Sequence, residues 1–245
     1  MFQRLIITVA VCLGALAHSA GLSVSPVSVE LDAKTHAALI NLKNGGGEST
    51  RYQLEMMSWS ESSSGKMELS PSRDVVFFPQ LLTLKPGQDR NVRVGITQSA
   101  GVTEKTYRLF IQELPGMKAA DGKQQVQVLT RVGIPIFIVP LAHSSKAELT
   151  PLSVQGGKVE FGLVNRGNAH TRSTKIVFTA ADAEGKPVFQ KSWGGWYLLA
   201  GGERDYKVEI PPADCKRATS FRAEALGEKL SLSKTVQASP GACGS

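Results

Sequence analysis

From residue 22 onward, apolar residues recur at every second position in short runs, and turn residues separate the runs. Asn91–Ile96 shows the pattern most cleanly, with Val92, Val94 and Ile96 on one parity. A period of two predicts half-buried β-strands. The same reading places strands at Leu22–Leu31, Ala37–Leu42, Tyr52–Trp59, Val75–Phe78, Leu81–Leu84 and Thr106–Leu114. Asn44-Gly45-Gly46-Gly47, Pro86-Gly87 and Pro115-Gly116 supply the turns between them. The last strand of this group, QQVQVLTRVGIPIFIVP at residues 124–140, is unusual. It alternates over Gln125–Val128, turns almost wholly apolar, and carries Pro135 and Pro140. Proline removes a ladder hydrogen bond and is confined to edges or bulges. One long strand therefore looks built to stay partly unpaired.

Beyond Pro140 and the polar run His143–Lys146 the pattern restarts. Strands are predicted at Glu148–Val154, Lys158–Asn165, Thr174–Thr179, Pro187–Ser192, Trp196–Leu199, Asp205–Ile210, Phe221–Ala225 and Leu230–Val236. Gly156-Gly157, Glu184-Gly185 and Gly201-Gly202 read as hairpin turns. No sustained 3.6-residue period follows residue 20. The chain reads as all-β, two immunoglobulin-like sandwiches in tandem over residues 21–140 and 141–245.

Residues 1–20 break the pattern. Arg4 precedes an apolar run from Leu5 to Ala17 and a small-residue segment, the layout of a cleaved signal peptide rather than a membrane span. Export changes the reading of the cysteines. Cys12 leaves with the signal, and Cys215 and Cys243 remain as a pair suited to a disulfide. Closing that loop removes about 3.5 kcal/mol of unfolded-state entropy in the simple chain model. The formal net charge is +7, but the bases are scattered (Arg90, Arg93, Lys216, Arg217, Lys229). With no basic tract and no aromatic–basic interleaving, nucleic-acid binding is not expected.

Catalytic signatures are absent. There is no G-x-S-x-G, no H-E-x-x-H, no phosphate-binding glycine loop and no dinucleotide fingerprint. His36, His143 and His170 lack ligand spacing and read as turn or surface residues, so no metal and no cofactor are expected. Glu55, Asp89 and Glu113 form no recognisable acid–base pair. Trp193-Gly194-Gly195-Trp196-Tyr197 could stack on a sugar, but reads more simply as a bulged strand packing aromatics into the second core. Asn165-Arg166-Gly167-Asn168 reads as a turn.

Taken together, SPVSVEL, VVFFPQLLTLKPGQDRNVRVG, TYRLFIQELP, RVGIPIFIVP, NRGNAHT and GGWYLLAGGERDYKVEIP resemble the periplasmic chaperones of the chaperone–usher pilus pathway, the PapD-like family. Their order and spacing carry the resemblance over nearly the whole chain after residue 20. It implies a non-enzymatic chaperone in the periplasm, with pilus subunits and an outer-membrane usher as partners and no membrane insertion. The last strand of the first domain would complete an unfinished subunit by β-augmentation. Val126, Val128 and Thr130 would face that client. The alternative is a structural or adhesive pilus component, which would carry its own N-terminal donor extension.

The family pattern also implies an Arg in the first strand and a Lys late in the donor strand, which together hold the client's terminal carboxylate. Here those positions read Ser28 and Pro135. With FFPQLLTLKPG and IPIFIVP, this departure resembles the archaic, spore-coat-type branch. A buried carboxylate still needs a cation. Arg108 is the first candidate, sharing a strand face with Phe110 and Gln112, and Arg131 and Arg93 follow.

Overall fold

The computed structural model describes residues 21–62, 64–116 and 128–244. It is almost entirely β, and all strand pairing lies within residues 22–138 or within 147–237.

In the first sandwich the strands are β1 (Leu22–Ser25), β2 (Val29–Leu31), β3 (Ala37–Asn44), β4 (Thr50–Glu61), β5 (Met67–Pro71), β6 (Val75–Phe78), β7 (Leu81–Leu84), β8 (Asp89–Ile96), β9 (Lys105–Glu113) and β10 (Arg131–Ile138). One sheet runs β1-β3-β8-β6. The other runs β2-β10-β9-β4-β5, with β7 also on β4. Their inner faces close over Leu31, Ile40, Leu42, Leu84, Val92, Val94, Leu109, Ile111, Ile136 and Ile138, all fully buried. These residues occupy the alternating apolar positions, because successive side chains of a strand point to opposite faces.

Two expected strands differ from the sequence reading. Leu22–Leu31 is split at Pro26. The first part pairs antiparallel with β3, and the second crosses to the other sheet and pairs parallel with β10. The strand expected over 124–140 is regular only from Arg131, and residues 124–127 lie outside the described residues. Its neighbour explains the late start. β9 ends at Glu113, whose N–H still reaches the Thr130 carbonyl at 2.8 Å, while the next N–H, of Leu114, donates to the Arg51 carbonyl on β4. Among the described residues, no strand pairs with 128–130.

The second sandwich contains β11 (Ala147–Leu149), β12 (Ser153–Gln155), β13 (Lys158–Asn165), β14 (Thr171–Arg172), β15 (Lys175–Ala181), β16 (Pro187–Gly194), β17 (Tyr197–Leu198), β18 (Glu203–Glu209), β19 (Ser220–Gly227) and β20 (Leu230–Gln237), with one short helix, α1 (Pro212–Cys215). Pro151 divides the single strand expected over 148–154 into β11 and β12, and both pair with β13. Phe161, Phe178 and Phe221 centre this core. Cys215 and Cys243 are joined as a disulfide that ties α1 to the C-terminal tail.

Both sandwiches use one device where a strand ends in a glycine turn. Asn44 Nδ2 donates to the Glu48 and Leu84 carbonyls while its Oδ1 accepts from Gly46 N–H. Asn165 Nδ2 likewise donates to Ala169, Leu198 and Leu199 carbonyls, and its Oδ1 accepts from Gly167 N–H. Each side chain is buried, and each satisfies backbone groups that the turn would otherwise strand.

Candidate functional site

The open edge of β10 forms the centre of the site. β10 pairs with β9 along its whole length, from Arg131 opposite Gln112 to Ile138 opposite Lys105. On its other side β2 covers only Ile136–Ile138. Among the described residues, no strand lies beside Arg131–Pro135 on that edge. The bond from Glu113 to Thr130 sets the parity: even residues turn their backbone groups to β9 and odd residues turn theirs outward. Val139 N–H, which donates outward to the Leu31 carbonyl at 2.8 Å, fits the same parity. The N–H groups of Arg131 and Gly133 therefore point to the open side.

This parity accounts for the proline. Pro135 occupies an outward position opposite Arg108, so its missing N–H costs β9 no hydrogen bond. Pro140 follows the strand end. Even-numbered side chains continue the core row Ile138, Ile136, Ile134, with Val132 half-buried at its margin. Thr130 and Val128 extend the chain past this margin, and Val128 is 87% exposed. Val126 lies outside the described residues.

On the outer face of the same sheet, β9 presents Arg108. Its parity with Phe110 and Gln112 is the one read from the sequence, and Arg108 is only 6% accessible. The guanidinium carbon stands 4.2 Å from the Trp59 ring centroid and 5.1 Å from that of Trp196. Its Nε is buried without a hydrogen-bond partner. Burial lowers its pKa and the nearby Glu61 charge opposes that shift, while arginine stays a cation throughout. No carboxylate among the described residues forms an ion pair with it.

Glu61 is already engaged. Its Oε1 accepts from Trp196 Nε1 at 2.8 Å and its Oε2 from Arg204 Nη2 at 2.8 Å. Gly133 opens the way to the guanidinium. A Cβ there would sit 3.0 Å from the Phe110 ring and 3.5 Å from Arg108 Nη1. A side chain at that place would press on both, so glycine keeps the guanidinium close to the strand whose edge is open.

The other candidates are placed differently. Arg131, at the start of β10, is exposed, lies over the Phe110 ring at 4.2 Å, and has Glu55 at 3.6 Å. Arg93 is on β8 in the opposite sheet, away from β10. Ser28 lines a cavity of about 350 Å³ between the sandwiches, with Phe137, His170, Arg172 and Lys229.

A match to a family model covers residues 21–143, the pili and flagellar-assembly chaperones, PapD N-terminal domain. The chain belongs to this chaperone family. Solved structures share the fold across both sandwiches. A chain of the CsuC–CsuE chaperone–tip subunit pre-assembly complex from archaic Csu pili of Acinetobacter baumannii superposes with a TM-score of 0.61 at 18% identity, over 88% of this chain and 98% of that one. The class 5 fimbriae chaperone CfaA gives 0.57 at 12%, over 89% and 100%. A chain of the Salmonella enterica SafA pilin–SafB chaperone complex gives 0.56 at 13%, over 88% and 96%. No curated protein sequence matches the chain.

Several residues of this chaperone that shape the site were not singled out from the sequence. Phe137 stacks on His170 with centroids 3.7 Å apart and joins Trp59, Val139 and Leu199 in a third apolar cluster between the sandwiches. His170, read as a surface residue, is instead held there. Its Nδ1 lies 2.8 Å from Glu104, whose side chain is fully buried. The turn read at Asn165–Asn168 also bridges the sandwiches, since Asn168 donates to the Val102 carbonyl and accepts from Glu104 N–H. Trp193 packs with Phe161 and Tyr206 in the second core as expected. Trp196 does not, and turns to Arg108 and Glu61 instead. Only the alternation Phe137/Val139, with apolar residues on the outward parity, hinted that this face was covered.

Proposed function

We propose that this chaperone lends the open edge of β10 to a pilus subunit that lacks a strand, and that it then delivers the subunit to an outer-membrane usher. The observation that carries the reading is the second edge of Arg131–Pro135, beside which no strand lies among the described residues, with Val128 exposed on the segment leading into it. An unpaired edge is a template for another chain, and β-augmentation takes affinity from main-chain bonds and specificity from alternate side chains. The neighbours include chaperones solved together with a tip subunit and with a pilin, which supports a subunit as the client here. In this reading residues 1–20 are a signal peptide cleaved on entry to the periplasm, and the sandwiches divide near Pro140. Val126, Val128 and Thr130 enter the client's groove, and Arg108 receives its terminal carboxylate. No step of the cycle is catalytic. The likeness to the Csu complex supports a place in the archaic branch.

Replacing Val126 and Val128 together by Asp tests the reading. The variant is expected to keep a native circular dichroism spectrum, yet to lose at least about tenfold of the soluble client in co-expression with exported β-sandwich subunits, because a buried unpaired charge costs several kcal/mol. Capture at the wild-type level would remove these residues from the interface. Unfolding would assign them to the chaperone's own core.

A further inference from the structure

The surroundings of Arg108 come from both sandwiches. Trp59 and Glu61 lie on β4 of the first, whereas Trp196 and Arg204 belong to the second. Trp196 has two separate roles here. Its ring lies over the Arg108 guanidinium at 5.1 Å, and its indole N–H is fixed by Glu61 at 2.8 Å. Arg204 holds the other oxygen of Glu61, and its guanidinium lies close against the β4–β5 turn, where a Cβ at Gly65 would stand 3.1 Å from Arg204 Nε. The chain Arg204–Glu61–Trp196–Arg108 thus runs from the second sandwich to the donor-strand sheet.

The charges in this chain do not balance. Two guanidinium groups face one carboxylate, and Glu61 is 8% exposed with both oxygens occupied. Glu61 is thus turned toward Arg204 and Trp196. Among the described residues the cluster is one negative charge short, and the shortfall lies at Arg108, beside Gly133 and the open edge. A ring over a guanidinium stabilises the cation without taking its in-plane donors, which stay free for a carboxylate.

We infer that Trp196 is a positioning residue for carboxylate capture: held by Glu61, it fixes the Arg108 guanidinium, so that the second sandwich sets the specificity of the first for a strand ending in a free carboxylate. The inference rests on the proposed role of Arg108 and adds to it. It explains why the anchor can sit on β9, where neither Ser28 nor Pro135 provides a cation. It also makes capture depend on the seam between the sandwiches.

The test uses the full chaperone and two probes, a short acetylated peptide of alternating valine and threonine with a free C-terminal carboxylate, and the same peptide amidated. The amide reports strand pairing alone, and the ratio of the two affinities reports the anchor. Wild type is expected to prefer the free acid by about tenfold or more. Trp196→Leu, which keeps apolar bulk without a π face, should leave amide binding unchanged. It should cut the preference by about three- to thirtyfold, the range a desolvated cation–π contact supplies. Trp196→Phe should restore part of it. An undiminished preference in Trp196→Leu would overturn the inference while leaving Arg108 as the anchor. A wild type that binds both peptides equally would overturn the Arg108 reading itself, and one that binds neither would count against the open edge. Equal losses for acid and amide in both variants would make Trp196 merely structural.

Discussion

Arg108→Ala should weaken capture of a subunit with a free C-terminal carboxylate by about ten- to a hundredfold, and barely affect one whose terminus is amidated. Hydrogen bonds to charged groups contribute roughly 1.5–3 kcal/mol net, and each 1.4 kcal/mol is about a tenfold change in affinity. The buried setting favours the upper part of that range, because among the described residues Arg108 has neither a carboxylate nor a partner for Nε. Arg108→Lys should retain only part of the effect, since an ammonium lacks the planar fork. The alanine variant should remain folded, as it removes an unsatisfied buried donor together with its stem. Client binding by the three proteins, each with a native circular dichroism spectrum, decides the matter. Equal capture by folded Arg108→Ala would exclude it as the anchor. Arg131 would be next, although it already has Glu55 at 3.6 Å.

Phe137→Ala should cost about 3–5 kcal/mol, the usual loss for a fully buried aromatic. The ring is 1% exposed and contacts His170, Trp59 and Tyr197. Because these partners come from both sandwiches, the loss should loosen the seam more than either core. Denaturation followed by tryptophan fluorescence can separate the two effects. Trp59 and Trp196 report the seam, while Trp193 reports the second core. The expected result is an earlier transition confined to the seam signal. A loss below about 1 kcal/mol would mean that the sandwiches are held by polar contacts such as Glu104–His170 and Asn168–Val102 instead.

Much of this architecture could be read from alternation alone. Val92, Val94, Ile134 and Ile136 are inward because each strand has one dry face, and that periodicity is local. What could not be read is long-range. Pro26 sends one apparent strand into two sheets, and nothing in SPVSVEL states which partner each half takes. Arg108 was legible as a strand-borne cation with an apolar environment. Its ring partners were not, because Trp59 and Trp196 are far away in the chain and meet only when the sandwiches pack. His170 misled for the same reason, since a polar residue after a glycine turn looks exposed until a second domain covers it. Pro135 in β10 became intelligible only once the ladder parity was known.

Capture by edge pairing would be felt first at the outward amides of β10. Residue-resolved hydrogen exchange on the chaperone, alone and in complex with a pilus subunit co-expressed with it, measures them. The amides of Arg131 and Gly133 are expected to exchange freely in the free chaperone and to become protected in the complex, while those of Val132 and Ile134 are protected in both. A complex in which Arg131 and Gly133 exchange as fast as in the free protein would contradict it, because the client would then be held somewhere other than the open edge.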